Sequence, residues 1–266
     1  MTEHILAISN LNLSFTTGRQ KEEALSLFRN LSMNIEREKI TALFGGNGAG
    51  KTTLFNVISG LQKGASGNVI FEGKNILGLP PHQIANFGIG RLFQGARVFD
   101  ELCIIDNMLL GITQPANEML YFNLIKPWKN KALVNKSKEK AESILENLFG
   151  TANPFLEKRY EEAGSLSFGQ QRLLALARLL MGDYSLYLLD EPTAGVNVKF
   201  LDPIAATIRK MNSTNHKTVL LIEHNMHFVR ELAEDCFFMS RDMELKQGPP
   251  QQLLDDEEVQ KAYMGF

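Results

Sequence analysis

Residues 39–58 read KITALFGGNGAGKTTLFNVI, and no other stretch limits the fold as tightly. A short apolar run from Ile40 to Phe44 stops at a cluster of glycines, and helical spacing begins at Lys51. That order predicts a buried strand, a glycine-rich turn and a helix. The turn fits G-x-x-x-x-G-K-[ST] from Gly45 to Thr52. Successive backbone N–H groups in such a loop form a nest for phosphate oxygens, and glycines permit both the dihedrals and the close approach. The candidate phosphate contacts are Gly45, Gly46, Asn47, Gly48, Ala49, Gly50, Lys51, Thr52 and Thr53. Lys51 can reach β- and γ-phosphates, and the Thr52 hydroxyl can face Mg²⁺.

Other segments supply what a nucleotide hydrolase next needs. LYLLDE, Leu186 to Glu191, is a buried strand that ends in two carboxylates. Asp190 can serve Mg²⁺, and Glu191 can act as general base toward water. His224 ends another apolar run, LLIEHN, where it could touch a γ-phosphate or orient water. Gln94 follows a short strand in GIGRLFQG and could contact Mg²⁺ or the water. Taken singly, a histidine or a glutamine at such a place is more often structural.

A second anion-binding feature lies in GSLSFGQQRLLALARLLMG, from Gly164 to Gly182. Ser165 and Ser167 can cap a helix there, and Gly169 lets a ligand approach the backbone. Helix N-termini attract phosphate through aligned dipoles and open donors. This one carries no lysine.

Around these motifs the chain reads as α/β. Ile5 to Phe15 and Leu31 to Glu36 have strand patterns, with a polar loop or hairpin excursion between them. Gly67 to Ile76 reads as one further strand, and Pro80-Pro81 starts a short helix. From about 100 to 164 helical spacing dominates, with an irregular loop near TQPANEML. CFFMSRDMELKQG suggests a closing hairpin before a polar helix. The expected division is a single domain over 1–266. Its α/β core covers 1–94 and 166–240, a mostly helical part covers 95–165, and a hairpin end with helical tail covers 241–266.

Composition excludes several classes. A net charge of −2 gives no bulk attraction to nucleic acid. The run KPWKNKALVNKSKEK reads as a solvated helix face. Two distant cysteines suit neither a disulfide framework nor a zinc site. No stretch approaches about 18 uninterrupted apolar residues, and the N-terminal segment alternates like a strand, unlike a signal peptide.

In order and spacing these segments resemble the nucleotide-binding subunit of an ABC transporter over essentially the whole chain. The resemblance rests on the phosphate loop, a glutamine loop at Gln94, the signature LSFGQ at Leu166–Gln170, LLDEP at Leu188–Pro192, and His224. It implies a P-loop core of ABC ATPase type, with an N-terminal antiparallel β subdomain and an inserted helical subdomain. Glu191 becomes the catalytic base. Ser167, Gly169 and Gln170 become contacts to nucleotide bound by a partner subunit. Phe15 is the closest positional match to the aromatic that stacks on adenine, though a strand residue fits the core equally well.

LPPHQIANFGIGRLFQ, the long insertion after NMLLG, AGVN after the DEPT turn, and the ending VQKAYMG are similar to the branched-chain amino-acid importer group. Asn197 stands where most family members have aspartate, as is common in that group. Gly46 replaces a usual proline, Leu92 a usual threonine and Phe168 a usual glycine.

The resemblance therefore implies ATP and Mg²⁺, a second ATPase subunit of the same or a related chain, and two transmembrane permeases. Indirectly it implies a substrate-binding protein, with the chain peripheral on the cytoplasmic face of the membrane. The expected activity is ATP-driven closure coupled to uptake of a branched-chain amino acid or related amide. Two alternatives are the ATPase of a lipid or lipopolysaccharide extraction system and a soluble, non-transport ABC ATPase.

Overall fold

A computed structural model describes residues 3–16, 24–95, 97–112, 127–150, 154–240 and 245–264. They form two compact units, one of 1–91, 184–191 and 208–266, the other of 92–183 and 192–207.

The first unit holds two sheets. In the smaller one β1 (His4–Thr16) and β2 (Ala24–Glu36) pair antiparallel, and β4 (Ser66–Phe71) and β5 (Lys74–Asn75) extend it in the order β2-β1-β4-β5. Two expectations change here. Residues 24–30, read as part of a polar loop, are strand, because they pair with the end of β1 and anchor through the fully buried Phe28. The single strand expected over Gly67–Ile76 is instead a hairpin. Glu72 and Gly73 both take positive φ, 47° and 79°, as a tight two-residue hairpin turn demands. The irregular loop expected near TQPANEML lies outside the described residues.

The larger sheet runs β10-β9-β3-β8-β7-β6. Its strands are β3 (Ile40–Gly45), β6 (Ile89–Leu92), β7 (Leu186–Asp190), β8 (Thr218–Ile222), β9 (Asp235–Met239) and β10 (Leu245–Gly248). β9, β3, β8 and β7 are parallel, and β10 returns antiparallel as the expected closing hairpin. Every residue of β3, β7 and β8 is buried, which is why these segments read as continuous apolar runs. Helix α1 (Lys51–Ile58) contributes Leu54, Phe55, Val57 and Ile58 to one core with Leu6 and Ile8 of β1 and Leu188 and Leu220 of the larger sheet. The phosphate loop follows β3, Asp190 ends β7, and His224 lies just past β8. In open parallel sheets ligands bind beyond the carboxyl ends of the strands.

The second unit is helical. Helices α3 (Ile104–Leu109) and α4 (Pro127–Phe149) pack on α6 (Phe168–Leu180). Ala141, Leu145 and Leu148 form the buried stripe of α4, at helical spacing. This packing groups the signature helix and 192–207 with the helical unit, whereas the sequence division placed 166–240 with the core. No helix among the described residues is long and apolar enough to cross a membrane.

Candidate functional site

Within the first unit the phosphate loop is shaped for anion capture. Gly50 precedes α1 with φ 94°, and no side chain caps the first turn. A Cβ on Gly50 would sit 2.9 Å from the Phe28 ring, so glycine is required there both for dihedral and for space. The Lys51 ammonium donates to the Gly45 and Gly46 carbonyls, each at 2.9 Å, which folds the side chain over its own loop. Burial pulls the Lys51 pKa below the ordinary lysine value, while Glu191 and Asp190 oppose that shift.

The loop's partners converge on it. The Thr52 hydroxyl lies 3.4 Å from Asp190 Oδ1, and Asp190 is fully buried. Burial raises the Asp190 pKa, and the adjacent Arg91 guanidinium opposes this. A hydroxyl and a carboxylate oxygen form an all-oxygen donor set that fits a hard cation such as Mg²⁺ arriving with phosphates. Among the described residues, no group of three or more His, Cys, Asp or Glu could hold a metal ion by itself.

Glu191 takes φ 51°, unusual for a residue with a Cβ, and its N–H donates to Ile222 O at 2.9 Å. The chain thus turns sharply at the end of β7, and the carboxylate leaves the line of the strand. His224 Nε2 lies 3.2 Å from Glu191 Oε1. The loop bearing His224 is held from within. The buried Glu223 carboxylate accepts from the His224 and Asn225 N–H groups, and Asn225 caps α8 (Met226–Leu232). Lys51, Thr52, Asp190, Glu191 and His224, found separately in the sequence, therefore belong to one site in the first unit.

Phe15 is exposed, which removes the core alternative for it. On β1 it pairs with Leu25 of β2, two residues beyond Leu13, the partner of Phe28 that packs on Gly50.

The second unit carries Gln94 and the signature. Gln94 is exposed, and its carbonyl accepts from Arg172, a fully buried residue of α6. Ser167 is the N-cap of α6, and the Gln170 carboxamide oxygen accepts from the Ser167 N–H at 2.9 Å. Gln170 thus closes its own helix end. Gly169 has a purpose that its sequence context did not show. A Cβ there would lie 2.4 Å from Gly195 O, so the signature turn and the turn after Pro192 meet backbone to backbone. A cavity of about 760 Å³ opens beside them, lined by Ser167, Gly169, Gln170, Asn197 and Lys199 among others.

Phe168 is 60% exposed, and its ring rests near Gly195. It covers the turn without filling the core. Phe168→Gly should hold ATP turnover within about threefold of the parent, since mostly exposed contacts contribute little; a steady-state ATPase assay checks this.

Sequence reading missed three buried polar residues. Arg91 pairs with Asp190, Arg172 holds the Gln94 backbone, and Asn107 grips the 99–103 segment through four hydrogen bonds. Each looks like an ordinary polar position, because its partners are distant or on the backbone.

Comparison with known proteins agrees with this geometry. The family model described as ABC transporter matches residues 28–194. Over 267 residues the chain is 34% identical to a Pseudomonas aeruginosa protein named "High-affinity branched-chain amino acid transport ATP-binding protein BraF", covering 100% of this chain and 99% of that one. It is 30% identical to the Escherichia coli protein named "High-affinity branched-chain amino acid transport ATP-binding protein LivG", again covering 100% and 99%. The crystal structure of the ADP conformation of an ATP-binding cassette of an ABC transporter superposes with a TM-score of 0.77 at 28% identity, over 100% of both chains. The chain belongs to the ABC transporter family, as one of its ATP-hydrolysing cassettes.

Proposed function

We propose that this chain is the motor subunit of an importer for branched-chain amino acids or closely related small amides. The observation that carries the reading is its full-length similarity to two proteins named for branched-chain amino acid transport. That similarity does not favour a lipid-extraction system or a soluble ABC ATPase. In this reading the chain sits peripherally on the cytoplasmic face of the membrane, beside two permeases and a second cassette of the same or a related chain. A substrate-binding protein delivers the solute.

The chemistry assigned to the site is water attack on the γ-phosphorus of ATP. The phosphate loop and Lys51 hold the β- and γ-phosphates. Thr52 and Asp190 would hold Mg²⁺, which would supply neutralisation of phosphate charge. Glu191 takes the proton from water as the new P–O bond forms, and the bond from the γ-phosphorus to the bridging oxygen breaks to release ADP. His224, beside Glu191, orients that carboxylate and the water. Ser167 and Gly169 of the other cassette cover the γ-phosphate. ATP then favours the closed dimer through contacts that ADP cannot complete, as a conformational switch requires.

Coupling to the permeases is assigned to the surface around Phe99 and Leu102. Both are exposed, while Ile105, three residues on from Leu102, is buried; only Ile105 is core. The buried Asn107 amide accepts from the Phe99 N–H and donates to the Phe99, Leu102 and Cys103 carbonyls, so the two apolar side chains stand on a fixed base. Changing Phe99 and Leu102 together to Asp should leave the ATPase of the isolated chain within about twofold, since exposed sites perturb stability little. The same change should abolish most uptake of radiolabelled leucine in cells. Normal uptake would remove this surface from the coupling path. Deleting the gene tests the cargo: leucine, isoleucine and valine uptake should fall together, and unchanged uptake would overturn the importer assignment.

A further inference from the structure

Asp190 presents its two carboxylate oxygens to different partners. Oδ1 faces the Thr52 hydroxyl at 3.4 Å, and Oδ2 faces Arg91 Nη2 at 3.2 Å. The Arg91 side chain is itself buried, at 6% exposure, against 0% for Asp190. Its other terminal nitrogen, Nη1, donates to Asn56 Oδ1 at 2.8 Å and to Ser59 Oγ at 2.7 Å. The guanidinium carbon lies 5.7 Å from the centre of the Phe55 ring. Asn56 is on α1 and Ser59 is its C-cap, so one side chain of β6 links the helix that begins with Lys51 and Thr52 to the strand that ends with Asp190.

A buried ion pair is weak evidence for stability, because desolvating both charges offsets their attraction. No step of ATP hydrolysis uses Arg91 directly. We infer that Arg91 is a positioning residue for the cation site: it pins Asp190 Oδ2 so that Oδ1 stays turned toward Thr52 and Mg²⁺. The inference rests on the reading above of Thr52 and Asp190 as the Mg²⁺ side of the site. It goes beyond that reading by making the spacing of the two donors depend on a third side chain, which touches neither phosphate nor metal. Lysine could supply charge at this position but not the fork that spans Asp190, Asn56 and Ser59 together. Residues that orient metal ligands typically change metal affinity by about 10- to 100-fold when removed.

The test is binding of a fluorescent ATP analogue, measured in EDTA and across a MgCl₂ titration, with thermal melting recorded for each variant. Arg91→Met should raise the Mg²⁺ concentration for half-maximal tightening at least about tenfold. Its affinity in EDTA should stay within about twofold of the parent, a pattern that general loosening of the fold would not produce. Arg91→Lys should recover part of the loss. Ser59→Ala removes one anchor and no charge, and should shift the Mg²⁺ midpoint in the same direction by a smaller factor; it decides the matter if Arg91→Met does not fold. Asp190→Asn is the reference. Should Asp190→Asn keep the parent Mg²⁺ dependence, the reading of Asp190 fails and takes the role of Arg91 with it. Should Asp190→Asn lose that dependence while Ser59→Ala and any folded Arg91→Met keep it, Asp190 stands and the role of Arg91 is overturned.

Discussion

Glu191→Gln should lower ATP turnover by roughly 10²- to 10⁴-fold, the range a positioned general base supplies. It should leave nucleotide affinity nearly unchanged. The substitution keeps the shape and one acceptor oxygen of the side chain and removes its capacity to take a proton from water. It also keeps the backbone, whose φ of 51° is set by the turn out of β7 and by the bond from the Glu191 N–H to Ile222 O. ATP bound by the phosphate loop then persists, and with it the closed state that it stabilises. Size-exclusion chromatography with ATP should show a dimer for Glu191→Gln that ADP does not support. Undiminished ATPase activity in this variant would remove Glu191 as the base and leave His224, 3.2 Å away, without the partner assigned to it.

The second large effect concerns the signature turn. Gly169→Val should reduce hydrolysis by about 10²-fold or more, comparable to loss of a donor to a developing charge. ATP binding to the isolated chain should remain. The side chain would enter space held by Gly195 O, 2.4 Å from the Cβ position, and would push apart two turns that meet backbone to backbone. Ser167→Ala should act in the same direction with less disturbance, since Ser167 is exposed at the cap of α6. Equilibrium binding of the fluorescent ATP analogue separates this outcome from its rival. Weak ATP binding by the isolated Ser167→Ala chain would place the signature on the chain's own nucleotide.

The parts that were legible before the structure share one physical property: each is dictated locally. The strand–loop–helix at 39–58 announces itself by an apolar run, glycines and helical spacing. The buried strands Leu186–Asp190 and Thr218–Ile222 do so by continuous burial on both faces. Positions that depend on distant partners were not legible. Residues 24–30 look like a polar loop until β1 offers them a ladder. Arg91 resembles a polar residue in a short strand, and its partner Asp190 is 99 residues away. Arg172 would be taken for the solvent side of an amphipathic helix, yet it is 1% exposed, because the Gln94 carbonyl satisfies it inside the second unit. Phe15 left core and ligand-facing readings equally open, and its exposure removed the first.

The signature helix has the N-terminus of a phosphate site without the lysine, and in this account it completes the site of a second cassette. Mixing two inactive variants tests that claim most directly. Lys51→Ala lacks a working phosphate loop and retains the signature; Gly169→Val has the reverse defect. If the signature acts on the other subunit, a mixed dimer contains one site with both halves intact. Random pairing should then restore about a quarter of the parent ATPase activity, because half the dimers are mixed and each has one good site of two. Once Glu191→Gln has been seen to pair with itself in ATP, a mixture as inactive as its two components would contradict the account.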